Sequence, residues 1–167
     1  NAIKEKNIMS PDGNPLGEVR QFNMMFSTSV GAMEDSSSTV YLRPETAQGM
    51  FVNYKNIMDS IHPKIPFGMA QIGKAFRNEI TPRDFLFRVR EFNQMEIEYF
   101  VKEYDWEKYF EYFKDEMRDW FEEVGIDASK LVEIEKSKED LAHYSDRTID
   151  YEFHFPFGQK ELSGLAY

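Results

Sequence analysis

Cysteine is absent from the 167 residues, which removes disulfides, thiolate metal sites and a cysteine nucleophile together. Histidine is scarce. His62, His143 and His154 stand far apart, without an i, i+4 pairing or a Cys-x-x-Cys partner, so no zinc is expected. No apolar run approaches the roughly 18 residues of a membrane span. No charged start leads into a small-residue cleavage site, so a cytoplasmic domain without membrane contact is expected. Positive charge is in deficit: 20 Lys and Arg against 30 Asp and Glu leave a formal net charge of -10. That balance argues against coating nucleic acid by charge alone. The chain also lacks a G-x-x-x-x-G-K-[ST] loop, a G-x-G-x-x-G turn and a Gly-x-Ser-x-Gly elbow, so a bound nucleotide would need another kind of site.

Apolar material is ample. Hydrophobic residues make up 41% of the chain, with 15 Phe, 9 Tyr and 2 Trp. A single domain of this length can bury about 70% of its unfolded surface, and disorder is not expected.

Asn1-Ala2 reads as the remnant of a tag, and Ser10-Pro11-Asp12-Gly13-Asn14-Pro15 as a surface turn. Phe22, Met24 and Phe26 alternate with Gln21, Asn23 and Met25 and suggest a strand, followed by a loop of small and acidic residues over 31–38. Val40 to Leu42 suggests a short strand running into Arg43-Pro44. From Ala47 the apolar residues Met50, Phe51, Tyr54, Ile57, Met58 and Ile61 keep helical spacing until His62-Pro63. A second helix is predicted after Asp105, expected as its cap. Its apolar face is Trp106, Tyr109, Phe110, Phe113, Met117, Trp120, Phe121 and Val124, with Gly125 ending it. A further short helix is expected near 138–144 and a strand at Thr148 to Phe155, broken by Pro156-Phe157-Gly158. The apolar segment opening at Glu161-Leu162 stops with the chain, which reads as a truncation.

Two long strands, Met69 to Glu79 and Phe87 to Val101, are expected to form an antiparallel hairpin around 80–86. Basic residues outnumber acidic ones six to two between Lys64 and Arg90, whereas Lys102 to Glu123 holds nine acidic and four basic residues. The acidic excess thus falls on the predicted outer helix and the basic excess on the hairpin. Along the second strand one parity carries Arg88, Arg90, Phe92, Gln94, Glu96 and Glu98. Burying those charges unpaired would be costly, so that face is expected to meet water or a polar ligand. With Arg77 and Glu79 alongside, it could clamp phosphate, stack a base and hold an amine; cross-strand Arg–Glu pairs on a wet sheet face are the commoner cause of such a pattern.

Three strings narrow the choice: YLRPETAQGMFVNYKN, AQIGKAFRNEITPRDFLFRVREFNQMEIEYF and HYSDRTIDYEFHFPFGQKELSGLA. Phe76-Arg77-Asn78-Glu79 followed by Arg90-Glu91-Phe92-x-Gln94 resembles motif 2 of class II aminoacyl-tRNA synthetases. The longer strings resemble the dimeric glycyl-tRNA synthetases from about Arg20 to Tyr167. The resemblance implies an α+β fold, an antiparallel sheet flanked by helices, with 1–19 as an N-terminal loop or tag and 20–167 as a partial catalytic domain. It implies ATP with Mg2+, glycine and tRNA(Gly) as substrates and partners, and a homodimer in the full-length family.

Residue by residue, the resemblance implies that Arg77 is catalytic, bridging the glycine carboxylate and the α-phosphate. Asn78, Glu79, Phe87, Arg88, Val89, Arg90, Glu91 and Phe92 would contact ATP, with the Phe92 ring on adenine. Glu45 and Glu96 would hold the glycine ammonium, and Phe92, Asn93, Gln94 and Met95 would line the same pocket. Glu161 and Leu162 would form a further ATP-side pair, Glu161 helping to hold magnesium. Motif 1, the motif 3 arginine, the late glycine-pocket loop and the anticodon-binding domain have no counterpart, so a catalytic-core fragment nearly inactive alone is expected. A non-catalytic module like the polymerase accessory subunits is the alternative, and a protein-interaction domain using the acidic helix is a third.

Overall fold

The computed structural model describes residues 6, 8–17, 21–32 and 36–167; the expectation of a tag at Asn1-Ala2 lies outside them. Nine elements matter here. Strand β1 (Ser27–Ser29) pairs antiparallel with β2 (Thr39–Tyr41). Helix α1 (Ala47–Ile61) follows, then β3 (Phe67–Phe76) and β4 (Glu91–Phe100), which form the expected hairpin. Helix α2 (Trp106–Glu123) leads to β5 (Leu131–Glu135), β6 (Thr148–Phe155) and β7 (Gly158–Ala166), an antiparallel sheet in chain order. The fold is α+β, its strands bonded as three separate antiparallel sheets among the described residues.

Several local expectations change. Residues 21–26 form no strand; pairing begins at Ser27. The hairpin strands are shorter than the alternation suggested, because 77–90 folds back on itself: Arg83 and Arg88 exchange two backbone bonds, and Asp84 and Phe85 take positive φ. The segment 138–144 makes turns instead of a helix, while β5, too short and charged to announce itself, is a full strand. Asp105 gives no side-chain cap to α2. The other end of α2 behaves as expected. Gly125 at φ 81° lets its own N–H reach Glu122 and that of Ile126 reach Phe121, closing the last turn. His62 closes α1 in the same left-handed conformation, its N–H donating to Met58.

The main core lies between α2 and the β5–β6–β7 sheet. Phe110 and Phe121 meet Ile149 and Tyr151 there, and Trp106, Met117, Ile126, Leu131 and Leu165 pack around them. Burial pushes the Tyr151 phenol up to about 12, so it stays neutral. Arg147 clasps this layer from its rim: Nη1 donates to Glu111 of α2 at 2.6 Å, Nε to Glu135 of β5 at 2.8 Å, and the guanidinium lies 4.3 Å from the Phe110 ring centre.

Helix α1 sits on the other unit, the hairpin. Tyr54 packs on Phe67 and Phe100, with centroids 5.9 and 4.7 Å away. The face it covers is the polar one. Gln94, Glu96 and Glu98 are partly buried beneath the start of α1, whereas Met95 and Ile97 on the opposite parity are 52% and 56% exposed, and Ile72 is 74% exposed. Beyond the expected water or polar ligand, the α1 entry covers part of this face, and its hydrogen bonds to Glu96 and Gln94 offset the cost of doing so.

Candidate active site on the β3–β4 hairpin

Cross-strand register orders the covered face into rows. Ala75 stands opposite Phe92, Gly73 opposite Gln94, Gln71 opposite Glu96, and Met69 opposite Glu98. At the first row the Arg77 guanidinium lies 5.2 Å from the Phe92 ring centre, and its Nε donates to the Pro44 carbonyl at 3.1 Å. One end of the face therefore carries a fixed cation and an aromatic ring.

At the third row Thr46, the residue before α1, is fully buried. Its hydroxyl donates to the Glu96 carboxylate, and its N–H donates to Gln94 Oε1 at 3.2 Å. That use of the hydroxyl explains why Thr46 gives α1 no side-chain cap. Glu45 precedes it and accepts from the Gln48 amide. Glu98, one row further, makes no hydrogen bond or ion pair among the described residues. Burial, then the neighbouring Glu96 and Glu45 charges, push its carboxyl up to about 7. Three carboxylates thus lie near one end of the face, and no cation pairs with Glu98 among the described residues.

The remaining predicted residues divide. Asn78 ties down the preceding segment, its N–H and side-chain amide donating to Met24 and Asn23 carbonyls at 2.9 and 3.0 Å. Glu79 pairs with Arg88 at 3.6 Å, and Arg90 Nε donates to the Glu79 carbonyl at 3.0 Å. Glu91 pairs with Lys74 at 2.7 Å. Of these, only Glu79–Arg88 is an Arg–Glu pair of the kind the sequence also allowed. Phe87 packs on Phe155 and Phe157, each 5.1 Å away, joining the hairpin loop to the β6–β7 turn; Val89 is partly buried nearby in sequence. Asn93 and Met95 have the parity opposite to Gln94 and Glu96 and lie on the exposed side.

Glu161 and Leu162 fall at a β-bulge. Glu152 pairs with Glu161 and Tyr151 with Ser163, leaving Leu162 as the extra residue. The Glu161 carboxyl is raised by shielding from solvent and by Asp150, while Lys136 and Arg77 act in the opposite sense. Arg77 and Glu161 therefore belong to one electrostatic neighbourhood, though 84 positions apart in sequence. Asp150 is nearly buried and held by Lys136 at 2.5 Å. Among the described residues no group of three or more His, Asp or Glu is arranged to hold a metal ion.

Sequence reasoning missed Thr46, Arg43, Glu98, Lys136 and Asp150. Thr46 and Arg43 had a signal, since both lie inside the RPETAQG string that supplied Glu45.

A cation and ring at one end of a sheet face and carboxylates at the other suit a ligand with an anionic, aromatic end and an ammonium end. The family described as the tRNA synthetase class II core domain (G, H, P, S and T) matches residues 26–164, and the chain belongs to it. Among curated proteins it is 56% identical over 168 residues to the glycine–tRNA ligase of Thermus thermophilus, covering 99% of this chain and 33% of that protein. It is 49% identical over 166 residues to the glycine–tRNA ligase of Geobacillus kaustophilus, covering 98% and 36%. The chain spans about a third of the length of the curated relatives it matches. Among the described residues, no helix is long and apolar enough to cross a membrane.

Proposed function

We propose that residues 20–167 are part of the catalytic core of a glycine–tRNA ligase, which activates glycine with ATP and passes it to tRNA(Gly). The observation that carries this reading is the polarity of the β4 face: Arg77 against Phe92 at one end, Glu96 and Gln94 bound by Thr46 at the other. Strand rise separates Phe92 from Glu96 by about 13 Å. That distance suits a ligand with a base and phosphate at one end and an ammonium group at the other.

The glycine carboxylate is already ionised, so no general base is needed. One carboxylate oxygen attacks the α-phosphorus, the bond from that phosphorus to the bridging oxygen of the β-phosphate breaks, and pyrophosphate leaves with the electron pair. A ribose hydroxyl of the tRNA terminus then takes the glycyl group and AMP departs. The protein's task is alignment and charge neutralisation. Arg77 supplies a positive charge beside the ring on which adenine would stack, and Glu45 and Glu96 orient an ammonium on a substrate that has no side chain to grip.

Magnesium suits the residues present. Glu161 is a carboxylate that burial and then Asp150 push up, and one carboxylate is enough for an ion held chiefly by phosphate oxygens. Bound there, the ion would neutralise developing phosphate charge. The same reading carries a cytoplasmic homodimer. The test is ATP–pyrophosphate exchange by the full-length enzyme carrying this segment. Exchange that requires glycine and ignores alanine is expected; glycine-independent exchange, or none, would overturn the proposal.

A further inference from the structure

Between the two ends of the β4 face lies the row formed by Gly73 and Gln94. Gly73 has no positive φ, so its backbone conformation is open to any residue. What excludes a side chain is space. A Cβ on Gly73 would stand 2.5 Å from Arg43 Nη2 and 3.6 Å from Arg43 Cζ. The Arg43 guanidinium therefore occupies the place a side chain would fill.

Its anchorage comes from elsewhere. Arg43 Nε donates to the Lys74 carbonyl at 2.6 Å, and the Arg43 carbonyl accepts from the Phe76 N–H at 2.9 Å. Neither bond uses the outer guanidinium nitrogens, and Arg43 has no carboxylate partner among the described residues. A fixed cation with free donors thus stands one row from the Arg77–Phe92 pair and one row from Glu96.

We propose that Arg43 is a second cation for the carboxylate of the amino-acid substrate, beside Arg77, and that Gly73 is the floor that admits its guanidinium. The inference rests on the glycine-activating reading above. A substrate lying along the face puts its ammonium at the Glu45–Glu96 end and the phosphate at the Arg77 end; its carboxylate falls on the row between. A guanidinium presents paired donors that match a carboxylate, and holding that group limits its freedom before attack.

The test uses Arg43→Ala, Arg43→Lys and Gly73→Ala in the full-length enzyme. Pyrophosphate exchange gives KM for glycine and ATP, and inhibition by glycinamide reports a ligand that keeps the ammonium but lacks the carboxylate charge. Glycine-dependent exchange by the unaltered enzyme is the control: its failure sinks the proposed function, whereas the variants decide the role of Arg43. Arg43→Ala should raise the glycine KM about tenfold or more, with ATP KM and glycinamide inhibition within twofold. Arg43→Lys should recover part of that loss. Gly73→Ala keeps the charge but displaces it, and should raise the glycine KM in the same selective way. An unchanged glycine KM in Gly73→Ala would overturn the proposal even if Arg43→Ala did not fold. Equal losses for glycine and glycinamide would overturn it as well, since they would make Arg43 a strut for the site.

Discussion

Arg77 and Phe92 form a single unit: the guanidinium stands 5.2 Å from the ring centre and is held from behind by the Pro44 carbonyl. The ring expected to carry adenine is also the platform of the cation expected to meet the α-phosphate. Phe92→Ala should therefore weaken ATP binding by about 1–3 kcal/mol, the range for lost base stacking. It should also lower kcat, whereas Phe92→Tyr should do little to either. Unchanged kcat at saturating ATP would show that the ring does not support Arg77.

Arg77→Ala should slow adenylate formation far more than it weakens glycine binding. Removing one donor that stabilises developing charge costs about 2.7–4 kcal/mol in the transition state. Single-turnover adenylate formation in the full-length enzyme provides the measurement. A rate within a few fold of the unaltered enzyme would remove Arg77 from the chemistry.

Thr46→Val preserves shape and deletes the hydroxyl that donates to Glu96. A partly buried carboxylate left short of a donor costs about 1–3 kcal/mol, so both Tm and glycine affinity should fall. Thr46→Ser should restore glycine affinity. Equal glycine KM in the valine and serine variants would mean that Glu96 needs no holding.

Glu98 gives a pH signature. Its folded carboxyl is raised from an ordinary 4.5 to about 7 by burial and by Glu96 and Glu45. The folded chain thus binds more protons than the unfolded chain between those values, and stability falls as pH rises through that window. Glu98→Gln stays neutral throughout. After allowance for solvent screening it should gain about 1 kcal/mol at pH 8.5, a Tm rise of about 2–4 °C, and nothing near pH 4.5. Matching Tm values at pH 8.5 would contradict the raised carboxyl.

The Arg147 clasp titrates with the opposite sign. Its hydrogen bonds hold Glu111 and Glu135 below the ordinary carboxylate range. That support is present above the unfolded value near 4.5 and is lost as pH falls through the lowered folded values. Arg147→Met should be less stable than the unaltered chain at pH 7, the gap closing on acidification. Fluorescence of Trp106 and Trp120, both on α2, would follow it; a gap constant down to pH 2 would exclude the two carboxylates as the cause.

Helix α1 and the hairpin were legible because their apolar spacing is long and regular, and β6 because Thr148 to Phe155 runs uninterrupted into a proline. The polar parity of β4 was also legible, but its burial was not. Alternation reveals that Gln94, Glu96 and Glu98 share a side, without revealing that a threonine 50 positions away would cover Glu96. The same limit hid Arg43. A glycine in a strand says that something approaches closely, and only the fold says what. Site residues tied to a contiguous string, such as Arg77 and Phe92, were found together, whereas the Lys136–Asp150 pair beside Glu161 depends on sheet register that no local pattern encodes.

The bulge at Leu162, midway along β7, decides which side of the sheet each half of the strand faces. Beyond it, Ser163 and Leu165 pair with Tyr151 and Ile149, the residues facing α2; before it, Glu161 pairs with Glu152. The extra residue is what lets one strand serve the core with its second half and the polar side with its first. Straightening the strand while keeping the Tyr151–Ser163 pairing would set Leu162 opposite Glu152 and Glu161 opposite Phe153, on the parity of Tyr151, and turn Glu161 toward the core. The side of the sheet that Glu161 faces is therefore decided at Leu162, one residue away, and not by Glu161 itself.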